Sequence, residues 1–84
     1  MKIIFHPNGW DDYIYWQQNQ QKMLKKINKL IKEIMRNSFE GTGKPEPLKF
    51  DLSGFWSRRI YQEHRIVYRV EKNDLHILAC RYHY

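Results

Sequence analysis

The sequence has a single cysteine, Cys80, among its 84 residues, so no disulfide can form within the chain. A chain without a disulfide is typical of a reducing compartment. No apolar run approaches the roughly 20 residues that a membrane-spanning helix needs. The run Met1–Phe5 is also far too short for a signal peptide. These absences predict a soluble cytoplasmic protein with no membrane partner.

Acidic residues are scarce relative to basic ones. The chain has 15 Lys and Arg against 9 Asp and Glu, for a net charge of +6. The excess is concentrated between Lys22 and Lys49, where eight basic residues accompany three acidic ones. Such a concentration favours a polyanionic partner such as nucleic acid. A solvated lysine face on a helix explains part of the same pattern.

Several common chemistries find no support in the residues. The four histidines show no zinc-ligand spacing, and one cysteine cannot complete a zinc site. Gly41 and Gly43 are not followed by the residues of a nucleotide-binding loop. Ser53 and Ser57 lack the setting of a nucleophile elbow. We therefore expect no metal and no cofactor.

The N-terminal half of the chain indicates one strand and two helices. Lys2–Phe5 reads as a strand, and Asn8 is a candidate N-cap for the first helix. Polar residues around Asn19 predict a break between the helices. The second helix is the clearest element, since its apolar residues recur at helical spacing. These residues are Met23, Ile27, Leu30, Ile31, Ile34 and Met35.

The C-terminal half indicates strands. Phe39–Leu48 contains two Gly and two Pro, which predicts an irregular loop. Three strand-like runs follow, Phe55–Tyr61, Arg65–Glu71 and Leu75–Tyr82. We predict one α+β domain over residues 1–84, ordered β-α-α-β-β-β. Its two N-terminal helices would pack on one face of a mostly antiparallel sheet and leave the other face for function.

Glutamate, arginine and histidine together suit RNA cleavage without a metal. Glu46 is a candidate base for a 2′-hydroxyl and His83 a candidate acid for the leaving oxygen. Arg59 and Arg65 are candidate phosphate ligands, because a guanidinium offers a planar fork of donors. Lys49 would add charge near the phosphate, and Tyr84 would stack on a base or orient a proton donor. Ordinary surface residues with no catalytic role explain each of these positions as well.

Four segments of the chain resemble the YoeB toxins of the YefM–YoeB toxin–antitoxin pairs, within the RelE superfamily. The segments are Gly43–Lys49, Leu52–Ile60, Glu63–Tyr68 and Cys80–Tyr84. The resemblance implies a ribosome-dependent endoribonuclease that cuts mRNA in the ribosomal A site and has a fold like that of small microbial ribonucleases.

Roles in the family carry over by position. Glu46 resembles the general base, His83 the general acid and Arg65 the residue that stabilises the transition-state phosphate. Lys49 and Arg59 resemble the phosphate-contacting positions, and Tyr84 resembles the substrate-orienting one. The resemblance further implies a YefM-like antitoxin, homodimerisation, and contact with operator DNA through the antitoxin complex alone.

Two other classes of function fit the same composition. One is a basic protein that binds the ribosome and blocks translation without cleaving RNA. The other is a structural partner in a repressor complex on DNA. A binder needs the positive charge but has no use for an acid and a base together. Glu46, Arg65 and His83 therefore favour the enzyme.

Overall fold

The computed structural model describes residues 1–82. A first strand is followed by two helices, a short irregular region and four further strands. The elements are β1 Ile3–Phe5, α1 Pro7–Asn19, α2 Gln21–Arg36, β2 Glu46–Pro47, a 3-10 turn Phe50–Leu52, β3 Trp56–Tyr61, β4 His64–Glu71 and β5 Asp74–Ala79. Neither helix in residues 1–82 has the length and apolarity needed to cross a membrane.

The strands form one sheet in the order β1-β5-β4-β3-β2. Strand β1 runs parallel to β5, and the other three pairings are antiparallel. The predicted α+β class, with two N-terminal helices and a mostly antiparallel sheet, is confirmed. The prediction missed β2, which lies inside the stretch interpreted as a loop. A two-residue edge strand containing Pro47 has neither alternation nor a complete set of ladder donors to reveal it.

The hydrophobic core lies between the helices and one face of the sheet. The predicted stripe on α2 is confirmed, since Ile27 and Ile34 are fully buried against Ile66 and Leu75 of the sheet. Each such side chain contributes about 1.5–3 kcal/mol on burial. The lysines of α2 lie off the stripe and are exposed. Packing of one face therefore stabilises a helix whose other face is strongly basic.

Helix α1 begins earlier than predicted. His6 is the N-cap residue and Pro7 occupies the first helical position, where its missing N–H costs nothing. The backbone N–H of Trp10 bonds to the His6 carbonyl at 2.9 Å. The prediction of Asn8 as N-cap is wrong, because that side chain instead contacts Asp12 and the carbonyl of Leu78. The predicted break between the helices is confirmed at Gln20, whose backbone is extended.

Strand β5 ends at Ala79, although the sequence predicted a strand continuing to Tyr82. Side chains of α1 form hydrogen bonds with the backbone N–H and carbonyl of Cys80, so Cys80 does not continue the ladder with β4. The Asp12 carboxylate accepts the Cys80 N–H at 3.0 Å, and the Trp16 indole donates to the Cys80 carbonyl at 2.8 Å. The regular ladder between β4 and β5 therefore ends at Ala79.

Candidate functional site

Glu46 and Arg65 meet on the sheet face that points away from the helices. The Arg65 guanidinium lies 3.7 Å from the Glu46 carboxylate. The Arg65 side chain is 24% exposed and the Glu46 side chain is 59% exposed, so both are open to a ligand. Strand register brings them together, since Glu46 lies opposite Ser57 and Arg59 lies opposite Arg65. Residues opposite each other, and residues two apart on one strand, share a face.

Gly43 allows the segment that carries Glu46 to lie directly against β3. The Arg59 N–H donates to the Gly43 carbonyl at 2.7 Å, so this segment lies directly against β3. Gly43 has φ +87°, and a Cβ there would come within 2.7 Å of the Arg59 carbonyl. A larger residue would be strained and would also clash. Beyond Glu46, the Leu48 N–H donates to the Phe55 carbonyl at 2.9 Å. Glu46 is therefore held between two fixed points.

Arg59 and Lys49 both lie on the surface. Arg59 is exposed on β3 opposite Arg65, and it also borders a groove of about 260 Å³ together with Lys26 and Lys29 of α2. Lys49 is exposed immediately before the 3-10 turn. Arg59, directly opposite Arg65 on the neighbouring strand, therefore adds positive charge beside the Glu46–Arg65 pair, a setting suited to a phosphate chain.

Arg58 and Arg69, the remaining arginines of the two central strands, differ in their surroundings. Arg58 is fully buried and donates to the Glu33 carboxylate, to the Tyr68 hydroxyl and to three backbone carbonyls. It therefore anchors the segment after α2 to the core. Arg69 lies over the Phe55 ring at 4.9 Å and pairs with Glu71 at 3.3 Å. Neither arginine contacts Glu46.

The Glu33 carboxylate is the charged partner of the Arg58 network. It accepts the backbone N–H of Thr42 and a guanidinium N–H of Arg58 at 3.1 Å. The hydrogen bond from the Thr42 amide is the main cause that holds the pKa of Glu33 below its usual range, and the Arg58 charge lowers this pKa further. Glu33 is therefore ionised throughout the neutral range and acts with Arg58 as a fixed pair.

Cys80 is a buried core residue. It is fully buried, and its Sγ lies 3.7 Å from the Gly9 carbonyl. Burial raises the pKa of Cys80 to about 12. The thiol therefore stays protonated at neutral pH and is a poor nucleophile.

The end of the described chain lies beside Arg65. The Arg65 N–H donates to the Tyr82 carbonyl at 3.0 Å, and the Tyr82 N–H donates to Nδ1 of His64 at 2.8 Å. The Arg81 guanidinium lies over the Tyr15 ring at 3.5 Å. The predicted acid His83 and the predicted orienting residue Tyr84 lie outside the described residues. The residue before them is nonetheless fixed next to the Glu46–Arg65 pair.

Sequence reasoning missed the residues that hold this C-terminal segment. They are Asp12, Tyr15, Trp16 and His64. The hydrogen bonds of Asp12 and Trp16 to Cys80 span 68 and 64 residues, and that of His64 spans 18. No local pattern signals such contacts. Within residues 1–82, no group of three or more His, Cys, Asp or Glu is arranged to hold a metal ion.

Comparison with known proteins identifies the family. Residues 5–84 match the family described as the YoeB-like toxin of bacterial type II toxin–antitoxin systems. The chain belongs to this family. It is 61% identical to toxin YoeB of Escherichia coli strain K12, over the full length of both chains. The resemblance to the YoeB toxins is thus confirmed across the whole sequence.

Solved structures of YoeB-family proteins share the fold. The YoeB/ParE toxin from Agrobacterium tumefaciens superposes with a TM-score of 0.97 at 50% identity, over the whole of both chains. YoeB from Staphylococcus aureus gives 0.92 at 54% identity, covering all of this chain and 98% of that one. It has been solved in a heterotetrameric YoeB–YefM complex and as a dimer. The toxin–antitoxin complex RelBE2 from Mycobacterium tuberculosis shows the same fold at 18% identity, with a TM-score of 0.73 and coverage of 98% and 96%.

Proposed function

We propose that this toxin is a ribosome-dependent endoribonuclease, a single domain over residues 1–84 that cleaves mRNA in the ribosomal A site. The observation that carries the proposal is the Glu46–Arg65 pair, with its two side chains 3.7 Å apart on an exposed face. A carboxylate and a guanidinium side by side supply a base and a positive charge for the phosphate. A protein that only binds RNA has no need of the carboxylate, which repels phosphate.

In the proposed reaction, Glu46 removes the proton of the 2′-hydroxyl next to the scissile phosphate. The 2′-oxygen forms a bond to phosphorus, and the bond between phosphorus and the 5′-oxygen breaks. His83 donates a proton to the departing 5′-oxygen. The products are a 2′,3′-cyclic phosphate and a 5′-hydroxyl. Each positioned acid or base contributes about 10²–10⁴-fold in rate.

Arg65 stabilises the negative charge that develops on the phosphate oxygens during attack. Its guanidinium is partly exposed, and its contact with the Glu46 carboxylate is long, at 3.7 Å. A phosphate entering between the two side chains would replace Glu46 as the partner of the Arg65 guanidinium. The Glu46 carboxylate would then face the 2′-hydroxyl. Electrostatic donors placed in this way supply about 2.7–4 kcal/mol of transition-state stabilisation. Arg59 and Lys49 contact neighbouring phosphates, and Tyr84 orients the substrate.

The same proposal assigns partners. The exposed lysines of α2 and the groove shared by Arg59 and Lys26 suit ribosomal RNA, a polyanion. A YefM-like antitoxin neutralises the toxin by covering the Glu46–Arg65 face, in line with the YoeB–YefM complexes of a close relative. We also assign to the toxin a homodimer, a cytoplasmic location, and contact with operator DNA through the antitoxin complex.

Mapping of mRNA 5′ ends on isolated ribosomes tests the proposal. We expect a new end within the A-site codon when the protein is added. The upstream fragment should carry a 2′,3′-cyclic phosphate or a 3′-phosphate. A message with a 2′-deoxy sugar at the scissile position should remain intact, because it lacks the attacking oxygen. Ribosome stalling without a new end would instead favour a non-catalytic blocker of translation. Cleavage of the 2′-deoxy message would exclude the 2′-hydroxyl mechanism.

A further inference from the structure

The backbone of Tyr82 is held in an uncommon conformation just before the proposed acid. Its φ is +60°, in the left-handed region that non-glycine residues rarely adopt. Two hydrogen bonds fix this turn, one on each side of the residue. Its N–H donates to Nδ1 of His64 at 2.8 Å, and its carbonyl accepts the Arg65 N–H at 3.0 Å. A conformation of this kind persists only when its surroundings over-determine it.

The bond from Tyr82 sets the protonation of His64. A backbone N–H requires a lone pair on its acceptor, so Nδ1 of His64 must be unprotonated. The ring hydrogen is therefore on Nε2, which lies 3.8 Å from the Glu63 carboxylate. An imidazolium carries hydrogen on both nitrogens and could no longer accept from Tyr82. Adding one proton to His64 therefore removes one of the two bonds that hold Tyr82.

Packing on both sides fixes the His64 ring. The ring meets Trp16 edge-on, with centroids 4.8 Å apart, and lies 5.1 Å from the Tyr82 ring. The His64 side chain is only 14% exposed. Trp16 in turn is buried and bonded to the Cys80 carbonyl. His64 therefore links the core of the protein directly to the chain next to His83.

We propose that His64 is a positioning residue for His83. It acts through the Tyr82 backbone and does not touch the substrate, and the proposal rests on the proposed role of His83 as the acid. Arg65 ties the two parts of the site together, because its side chain contacts Glu46 and its backbone holds Tyr82. His64 completes this arrangement by fixing the other side of Tyr82.

Among residues 1–82, the charged or titratable groups that face His64 are the Glu63 carboxylate and the Tyr82 phenol, with the Arg81 guanidinium behind the phenol at 3.3 Å from its oxygen. A proton added at Nδ1 of His64 would remove the bond that Nδ1 accepts from Tyr82.

Three substitutions separate the hydrogen bond from the packing. His64→Asn retains an acceptor near the position of Nδ1 and cannot be protonated. His64→Gln places its amide nearer the position of Nε2, and His64→Phe keeps an aromatic ring against Trp16 with no acceptor. We expect cleavage on ribosomes to show nearly wild-type kcat for His64→Asn. The other two should lose about tenfold or more in kcat with little change in KM, because small displacements of catalytic groups cost up to about 10²-fold.

Amide hydrogen exchange at Tyr82, followed by NMR, supplies a readout independent of cleavage. After correction for intrinsic exchange, the Tyr82 amide should be protected in the wild type and in His64→Asn, and this protection should be absent in His64→Phe. Thermal unfolding of each variant shows whether it remains folded.

Two outcomes would overturn the proposal. One is wild-type kcat in His64→Phe with Tyr82 still protected. The other is a His64→Asn variant that is as stable as the wild type but loses as much kcat as His64→Phe. If the wild type cleaves no message at all, the proposed function fails, while the amide measurement still decides whether His64 holds Tyr82.

Discussion

Arg58 and Arg59 are consecutive residues of β3 with opposite surroundings. Arg58 points into the core, where it is fully buried and bonded to Glu33, to Tyr68 and to three carbonyls. Arg59 points to the open face, where it lies exposed beside Arg65. Both belong to one six-residue strand, and alternation alone separates them.

The difference shows that residue type alone does not assign a role in a basic protein. A buried guanidinium with all its donors engaged stabilises the fold and has nothing left for a ligand. An exposed one beside a carboxylate is available to a phosphate. The core side of β3 therefore carries stability, and the open side, with Arg59, Arg65 and Glu46, carries the proposed chemistry. Four experiments test this division, beginning with the largest expected effect.

Replacing Arg58 by Met should destabilise the protein by about 3–5 kcal/mol, because the buried partners of Arg58 lose their donor. The matched variant Arg59→Met should change the free energy of unfolding by about 0.5 kcal/mol or less. Urea unfolding of both proteins measures the contrast. Equal destabilisation by the two substitutions would remove the distinction between the two sides of β3.

Deleting His83 and Tyr84 should lower cleavage by about 10²-fold or more, the usual scale for loss of a general acid. The unfolding midpoint should hardly change, since the core and the bonds that hold Tyr82 remain. His83→Gln should behave like the deletion. Undiminished cleavage by the truncated protein would place the proton donor elsewhere, with the ribosome as the next candidate.

Replacing Gly43 by Ala should destabilise the protein by about 1–3 kcal/mol and should also slow cleavage. The new Cβ would press on the Arg59 carbonyl and displace the segment that carries Glu46. Gly54→Ala is the matched control, because Gly54 also has a positive φ, +96°, but has no atom within 4 Å of the added Cβ. The control should share the backbone strain and retain cleavage. Equal loss of cleavage in both variants would refute the displacement of Glu46.

Mild acid should weaken the Arg58 network through Glu33, with the smallest effect of the four. The pKa of Glu33 is lower in the folded protein than in the unfolded chain, where it is about 4.5. Its contribution to stability is therefore fully present above that value and is lost as the pH falls through the folded pKa. Stability measured between pH 6 and pH 2 should decline less in Glu33→Gln than in the wild type. An identical decline in both would assign the acid sensitivity to other groups.

Much of the fold was predictable because its signals are local. The stripe on α2 reflects which residues face the core, and the strand-like runs of β3 and β4 are also local patterns. The two-residue strand at Glu46 and the end of β5 at Ala79 were not predictable, since each depends on partners distant in sequence. The candidate residues came from residue chemistry and family resemblance. Only strand register revealed that Glu46 and Arg65 adjoin, because they are separated by almost 20 residues.

The most direct test of the account compares Glu46→Gln with Glu71→Gln. Both glutamates are about half exposed, and each pairs with an arginine, at 3.7 Å and 3.3 Å respectively. Both variants should fold with nearly wild-type stability. In single-turnover cleavage on the same loaded ribosomes, Glu46→Gln should lose about 10²–10⁴-fold in rate, and Glu71→Gln should cleave like the wild type. Wild-type cleavage by Glu46→Gln, or an equal loss in Glu71→Gln, would contradict the assignment of catalysis to the Glu46–Arg65 face.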